Sequence, residues 1–203
     1  MLMKTSILAL VLAAPWALGC HGANTAKPTS TEHAEHEHEA GEHGEAAENE
    51  EHEHGESAED EQREQLAEAV SSSKVSLVAG LQASEAKGQP ISAKFELEGG
   101  KLQLSVYTMK DGKFFEVVVD HDSGAVVSSE AISGGEDLEA AQKQSAAMAK
   151  SKGTLRAAAE EASKENPGFQ AVSVVAELKD GHPVADVGLG KGEEWKTVAT
   201  KLD

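Results

Sequence analysis

Residues 91–127 read ISAKFELEGGKLQLSVYTMKDGKFFEVVVDHDSGAVV, and the reading of this stretch decides the fold. Ile91, Ala93, Phe95 and Leu97 alternate with Ser92, Lys94 and Glu96, and Leu102, Leu104 and Val106 alternate with Gln103 and Ser105. Phe114 to Val119 is more continuously apolar. A period of two, interrupted at Gly99-Gly100 and at Asp111-Gly112, is the pattern of an antiparallel meander with one wet face. The dry face needs a cover. Leu77, Val78 and Leu81 fall on one side of a helix just upstream and supply it.

The pattern ELEGGKLxLxVYxxKDGKFFEVxVDxDSG resembles the PepSY domain, a small extracytoplasmic module of one helix packed on a three-stranded sheet. On that resemblance Glu96-Leu97 belong to the first strand and Val106-Tyr107 to the second. Asp120 and Gly124 then bracket the turn that closes the third.

The second half echoes the first. Lys87, Pro90 and Ile91-Ser92-Ala93 are answered by Lys164, Pro167 and, after an insertion, Val172-Ser173-Val174. Glu96-Leu97 and Gly100 recur as Glu177-Leu178 and Gly181, Val106 and Lys110 as Val187 and Lys191, and Phe115 is matched to Trp195. Thr154 opens a helix whose covering face is Leu155, Ala158, Ala159 and Ala162. Asp137 to Lys150 reads as an Ala-rich helix with Leu138, Ala141, Ser145, Met148 and Ala149 on one face, packing across both units. The chain stops at Asp203, before a second closing turn, and Pro183 opens the middle strand, where Pro is tolerated. The expected fold class is α+β: two helix-plus-three-stranded antiparallel PepSY-like units, at 66–132 and, in degenerate form, at 154–203, joined by a helix within 133–153. Each has a marginal core alone, so the sheets are expected side by side.

Met1 to Gly19 has the build of an export signal. Lys4 supplies the positive start, and Ser6 to Ala14 is an apolar run too short to span a bilayer. Ala17-Leu18-Gly19-Cys20 resembles a bacterial lipobox, although the family prefers Leu where Ala17 stands. Lipidation of Cys20 would anchor the protein to the cell envelope without spanning it. The alternative is cleavage after Gly19 by ordinary signal peptidase, which Ala17-x-Gly19 would also suit and which would leave a periplasmic or secreted protein; the sole cysteine at this position favours the lipid anchor. Cys20 is the sole cysteine, so no disulfide forms within one chain.

The formal net charge is −18, and fifteen of the acids lie between Glu32 and Glu64 against Arg63 alone. Acidity of this order argues against a nucleic-acid partner, whose phosphates need the opposite sign, and against an electrostatic membrane patch. Residues 20–65 contain no apolar run that could offset the entropy of ordering, and their composition predicts a disordered tether. Within it His33, His36, His38, His43, His52 and His54 are interleaved with glutamates. Imidazole with carboxylate is a ligand set for Zn, Ni or Cu(II), drawn in by the negative field and weakened by acid because only neutral imidazole binds. The segment resembles the His/Glu-rich loops of bacterial zinc- and nickel-handling proteins. The plain alternative is a solvated, self-repelling spacer.

Other constellations read as structure. Asp120-His121-Asp122-Ser123-Gly124 has the composition of a tight turn. Gly188-x-Gly190-x-Gly192 lacks the remaining residues of a phosphate loop, and neither a nucleophile elbow nor a His-Glu-x-x-His helix is present. The expectation is a non-enzymatic binding protein of the envelope with no tightly bound cofactor, its tether capturing divalent metal ions. The PepSY resemblance implies an alternative, a regulator or inhibitor acting in trans on an envelope peptidase or another protein.

Overall fold

The structure is a computed structural model that describes residues 58–203. Four helices and seven strands follow in the order α1 (Ala58–Ser72), α2 (Leu77–Ser84), β1 (Gln89–Glu98), β2 (Lys101–Lys110), β3 (Lys113–Val119), β4 (Val126–Ile132), α3 (Gly135–Met148), α4 (Leu155–Glu165), β5 (Gln170–Lys179), β6 (His182–Lys191) and β7 (Glu194–Lys201). All seven strands form one antiparallel sheet in the order β4-β3-β2-β1-β5-β6-β7. Two separate three-stranded sheets, as expected from the sequence, are therefore replaced by one continuous sheet, and the first half contributes four strands. The units join where β1 pairs with β5, which buries two edges that would otherwise present unpaired N–H and C=O groups.

The halves repeat with near-constant spacing. From the start of β1 to the end of β3, every position has its counterpart 81 residues later (170 − 89), including both hairpin registers. The same bulge falls at Ile91 in β1 and at Val172 in β5. Left-handed backbone at Gly99 and Gly100 recurs at Asp180 and Gly181. On this spacing Trp195 is the counterpart of Phe114, which corrects the match to Phe115. The seam shows the symmetry directly: Ala93 pairs with Val174, its own counterpart, while Ser92 faces Val175 and Lys94 faces Ser173. A local twofold axis therefore passes between Ala93 and Val174.

Upstream of the strands the spacing is 78 (154 − 76), because α4 and its exit are three residues longer than α2 and its exit. At this spacing α3 is the counterpart of α1. Ser73 Oγ donates to the Val75 carbonyl at 2.8 Å, and Ser151 Oγ to the Gly153 carbonyl at 2.7 Å. The N–H groups of Lys74 and Val75 share the His121 carbonyl, while those of Lys152 and Gly153 share that of Leu202. The presumed connecting helix is thus the first element of the second repeat. The first repeat likewise begins at Ala58, not at 66, because Leu66 and Val70 pack on the core and acidic residues suit a helix start.

α2 and α4 lie against each other on one face of the sheet, over β1, β2, β5 and β6. Their buried faces are Leu77, Leu81 and, in α4, Leu155, Ala158, Ala159 and Ala162. α3 crosses the opposite face over β1, β5 and β6. Tyr107, which alternates with the core-facing Val106, reaches it there by donating to Asp137 Oδ1 at 2.9 Å. Ala141, Ala147 and Met148 of α3 are buried, while Ala149, expected on that face, follows the helix end and is exposed. The small Ser92, Ser173 and Gly188 line this face of the central strands; a Cβ at Gly188 would stand 2.4 Å from Ser173 Oγ. The glycines of the Gly188-Gly190 pair thus serve packing, the second lying under the Trp195 ring.

Candidate functional site

Two capped helix starts shape the principal cleft. Ser76 Oγ accepts from the Ala79 N–H at the start of α2, and Thr154 Oγ1 accepts from the Ala157 N–H at the start of α4. The local twofold sets the start of each helix beside the end of the other. One cleft, of about 320 Å³, opens between the start of α2 and the α4–β5 connection. Val70, Val75, Val78, Phe95, Phe169 and Ala171 give it an apolar lining, with Ser163 and Lys74 as polar members. Its symmetry mate, of about 230 Å³, lies between the start of α4 and the α2–β1 connection and contains Met148, the counterpart of Val70. There Arg156 meets Glu85 at 3.1 Å. The corresponding residues of the larger cleft are Val78 and Ser163, so the ion pair at the smaller cleft has no counterpart in the larger one.

The opposite face carries carboxylates in both halves. Ser105 Oγ lies 2.9 Å from Glu96 Oε1 and 3.0 Å from Glu116 Oε1, accepts from Gln103 Nε2 at 2.8 Å, and has a single hydrogen to give. Burial raises the Glu116 carboxyl above its ordinary value; the Ser105 contact and Lys94 oppose this, and the charges of Glu96 and Asp137 add to it. Burial, with Asp137 next, likewise raises Tyr107. In the second half Glu177 takes the place of Glu96 and Asp186 that of Ser105. Glu177 is raised by burial first and then by Asp186, whose carboxylate is held by Lys179 Nζ at 2.6 Å.

The Glu116 shift has a definite sign. The folded state binds its proton more tightly than the unfolded state does, so its ionisation opposes folding as pH rises from the ordinary value of 4.5 through the raised one. Glu116→Gln is expected to match the wild type in stability at pH 4 and to exceed it at pH 8, as read from urea midpoints. A constant difference across that range would contradict the assignment.

Of the residues singled out in the sequence, Cys20 and His33, His36, His38, His43, His52 and His54 lie outside the described residues. The Asp120–Gly124 segment is a turn, as its composition predicts. Asp120 Oδ1 accepts from the Ser123 N–H and hydroxyl, which hold its carboxyl below the usual range, and the Gly124 N–H closes on the Asp120 carbonyl. His182 is exposed, with Nδ1 3.3 Å from Asp203 Oδ2. The apolar cleft escaped sequence reasoning because its walls come from both repeats; only Val78, at the rim of the α2 face, gave a local hint.

No helix among the described residues is long and apolar enough to cross a membrane. No family model and no curated protein matches the chain. Among solved structures it is similar to CD1622, a candidate lipoprotein of Clostridium difficile 630, at 14% identity over 64% of this chain and 88% of that one, with a TM-score of 0.39. The residues 58–203 form an α+β unit built as a twofold repeat around one seven-stranded antiparallel sheet.

Proposed function

We propose that the protein is a non-enzymatic binding protein of the bacterial envelope, in which a tandem PepSY-like head carries a His/Glu tract that captures divalent transition metal. The observation that carries this reading is the set of six imidazoles from His33 to His54, each beside a carboxylate, in a segment joined directly to α1. Among the described residues no three His, Cys, Asp or Glu side chains gather as a metal site, so capture is assigned to the tract alone. A run of separated donors gives adaptable capture and local buffering.

Calorimetric titration of Zn, Ni and Cu(II) into the full chain at pH 7.5 is expected to show saturable binding, at least about tenfold weaker at pH 5.5, where imidazole is largely protonated. Replacing the six histidines by Ala should abolish it while leaving the thermal transition of the head in place. Retained binding in that variant would remove the tract from the proposal and leave it a spacer.

The open cleft favours a second reading, a regulator acting in trans on an envelope peptidase or other partner whose apolar side chain enters between the repeats. Adding the full chain to a secreted metalloprotease saturated with zinc distinguishes the two. Slowed cleavage under those conditions cannot be chelation and would support it.

A further inference from the structure

The Ser105 hydroxyl is buried and meets three groups: Gln103 Nε2 at 2.8 Å, Glu96 Oε1 at 2.9 Å and Glu116 Oε1 at 3.0 Å. A hydroxyl offers one hydrogen and two lone pairs. Gln103 gives to one lone pair, and the hydroxyl hydrogen goes to one carboxylate. The third contact closes only when the other carboxyl carries a proton of its own and gives it to the second lone pair. Two ionised carboxylates would leave one oxygen facing the hydroxyl oxygen with no hydrogen between them.

Which carboxyl keeps the proton follows from its surroundings. Lys94 Nζ lies 2.7 Å from Glu96 Oε2, so Glu96 is the ionised partner and accepts the hydroxyl hydrogen. Glu116 is half-buried, with Tyr107 opposite it on β2 and Glu130 opposite it on β4. Glu96 and Asp137 bring negative charge to it, and Lys94 brings positive charge. Asp137 stands in the first turn of α3 and accepts from the Tyr107 hydroxyl at 2.9 Å.

We propose that Glu116 is held as a neutral acid that donates to Ser105, and that it is a pH-sensitive latch for α3: once ionised it repels Asp137, and the first turn of α3 loosens from Tyr107 and the sheet. Burial, then the charges of Glu96 and Asp137, puts that ionisation above the ordinary carboxylate range. With the Ser105 hydrogen given to Glu96, the Ser105 contact favours the acid form of Glu116. The sign follows: the latch is closed in acid and opens as pH rises through the raised value. α3 packs on strands of both halves, so the latch acts where the repeats are joined.

Tyr107 is the sole tyrosine of the chain, so its ring signals report on this link without ambiguity. The full chain, carrying carbon-13 at Glu Cδ and in the Tyr ring, is titrated by NMR between about pH 4 and about pH 8. Glu116 Cδ, assigned through its own backbone amide, is expected to titrate above the ordinary carboxylate range, and the Tyr107 ring signals to move with the same midpoint. Hydrogen-exchange protection of the α3 amides should fall at least about tenfold across that midpoint relative to the amides of β5 and β6. Glu116→Gln, which can still donate to Ser105, should keep both the Tyr107 signals and the α3 protection constant through it. Titration of Glu116 within the ordinary range would overturn the donor assignment. Tyr107 signals or α3 protection that stay constant through the wild-type midpoint would overturn the latch, as would a Tyr107 transition at that midpoint persisting in Glu116→Gln. The wild-type titration decides the matter even where the variant fails to fold.

Discussion

Leu104→Ala is expected to lower the stability of the folded head by about 2–5 kcal/mol, as for a fully buried leucine whose cavity cannot collapse. Leu104 is completely buried, and its neighbour across the layer is Gly80 of α2. A Cβ at position 80 would stand 2.3 Å from Leu104 Cδ2, so the leucine occupies the space a side chain on the helix would need. The second repeat divides the same layer differently, with Ala158 at the position of Gly80 and Ala185 at that of Leu104, both buried. A reversal of sign follows. Gly80→Ala should destabilise the wild type by about 1–3 kcal/mol through overpacking. In the Leu104→Ala background it should stabilise by about 0.5–1 kcal/mol, because the clash has gone and Ala is the better helix residue. Urea midpoints of the four proteins measure the coupling directly. Additive effects would show that Gly80 is retained for a reason other than Leu104.

Val174→Asp should abolish the fold of both halves at once. Val174 is fully buried at the local twofold axis, paired with Ala93. A carboxylate placed there has no partner, and its cost of more than about 4 kcal/mol is a large share of a small domain's stability. The more informative readout is where protection is lost. β1 and β5 share one sheet, α2 packs on α4, and α3 spans both halves, so β2–β3 and β6–β7 are expected to lose hydrogen-exchange protection together. Survival of either half would show that a single repeat folds without the seam.

The local pattern of apolar and polar residues was enough to place β1, β2 and β3. Alternation from Ile91 to Val106, the Gly-containing hairpins, and the faces Leu77-Leu81 and Leu155-Ala158-Ala159-Ala162 are short-range consequences of helix and strand periodicity, and each has its place in the structure. The repeat itself was visible at Glu96-Leu97 and Glu177-Leu178 for the same reason. β4 was missed because Val126–Ile132 contains two serines and a glutamate, and its stability as a strand comes from the open edge of β3 beside it. α3 was read as a connector because its kinship with α1 shows most clearly in the segments after the two helices, where the N–H groups of Lys74 and Val75 and of Lys152 and Gly153 reach the distant carbonyls of His121 and Leu202.

The candidate sites divide along the same line. The amino-acid sequence by itself set six imidazoles among carboxylates from His33 to His54, and its periodicity marked the first three strands and the covering faces of α2 and α4. Only the tertiary structure decided that the two sheets are one, that an axis runs between Ala93 and Val174, and that one of two equivalent clefts carries the Arg156–Glu85 ion pair while the other has none at that place. These depend on pairings between residues some eighty positions apart. Burial and backbone hydrogen bonding select such pairings when the whole chain folds, and no local window contains both partners.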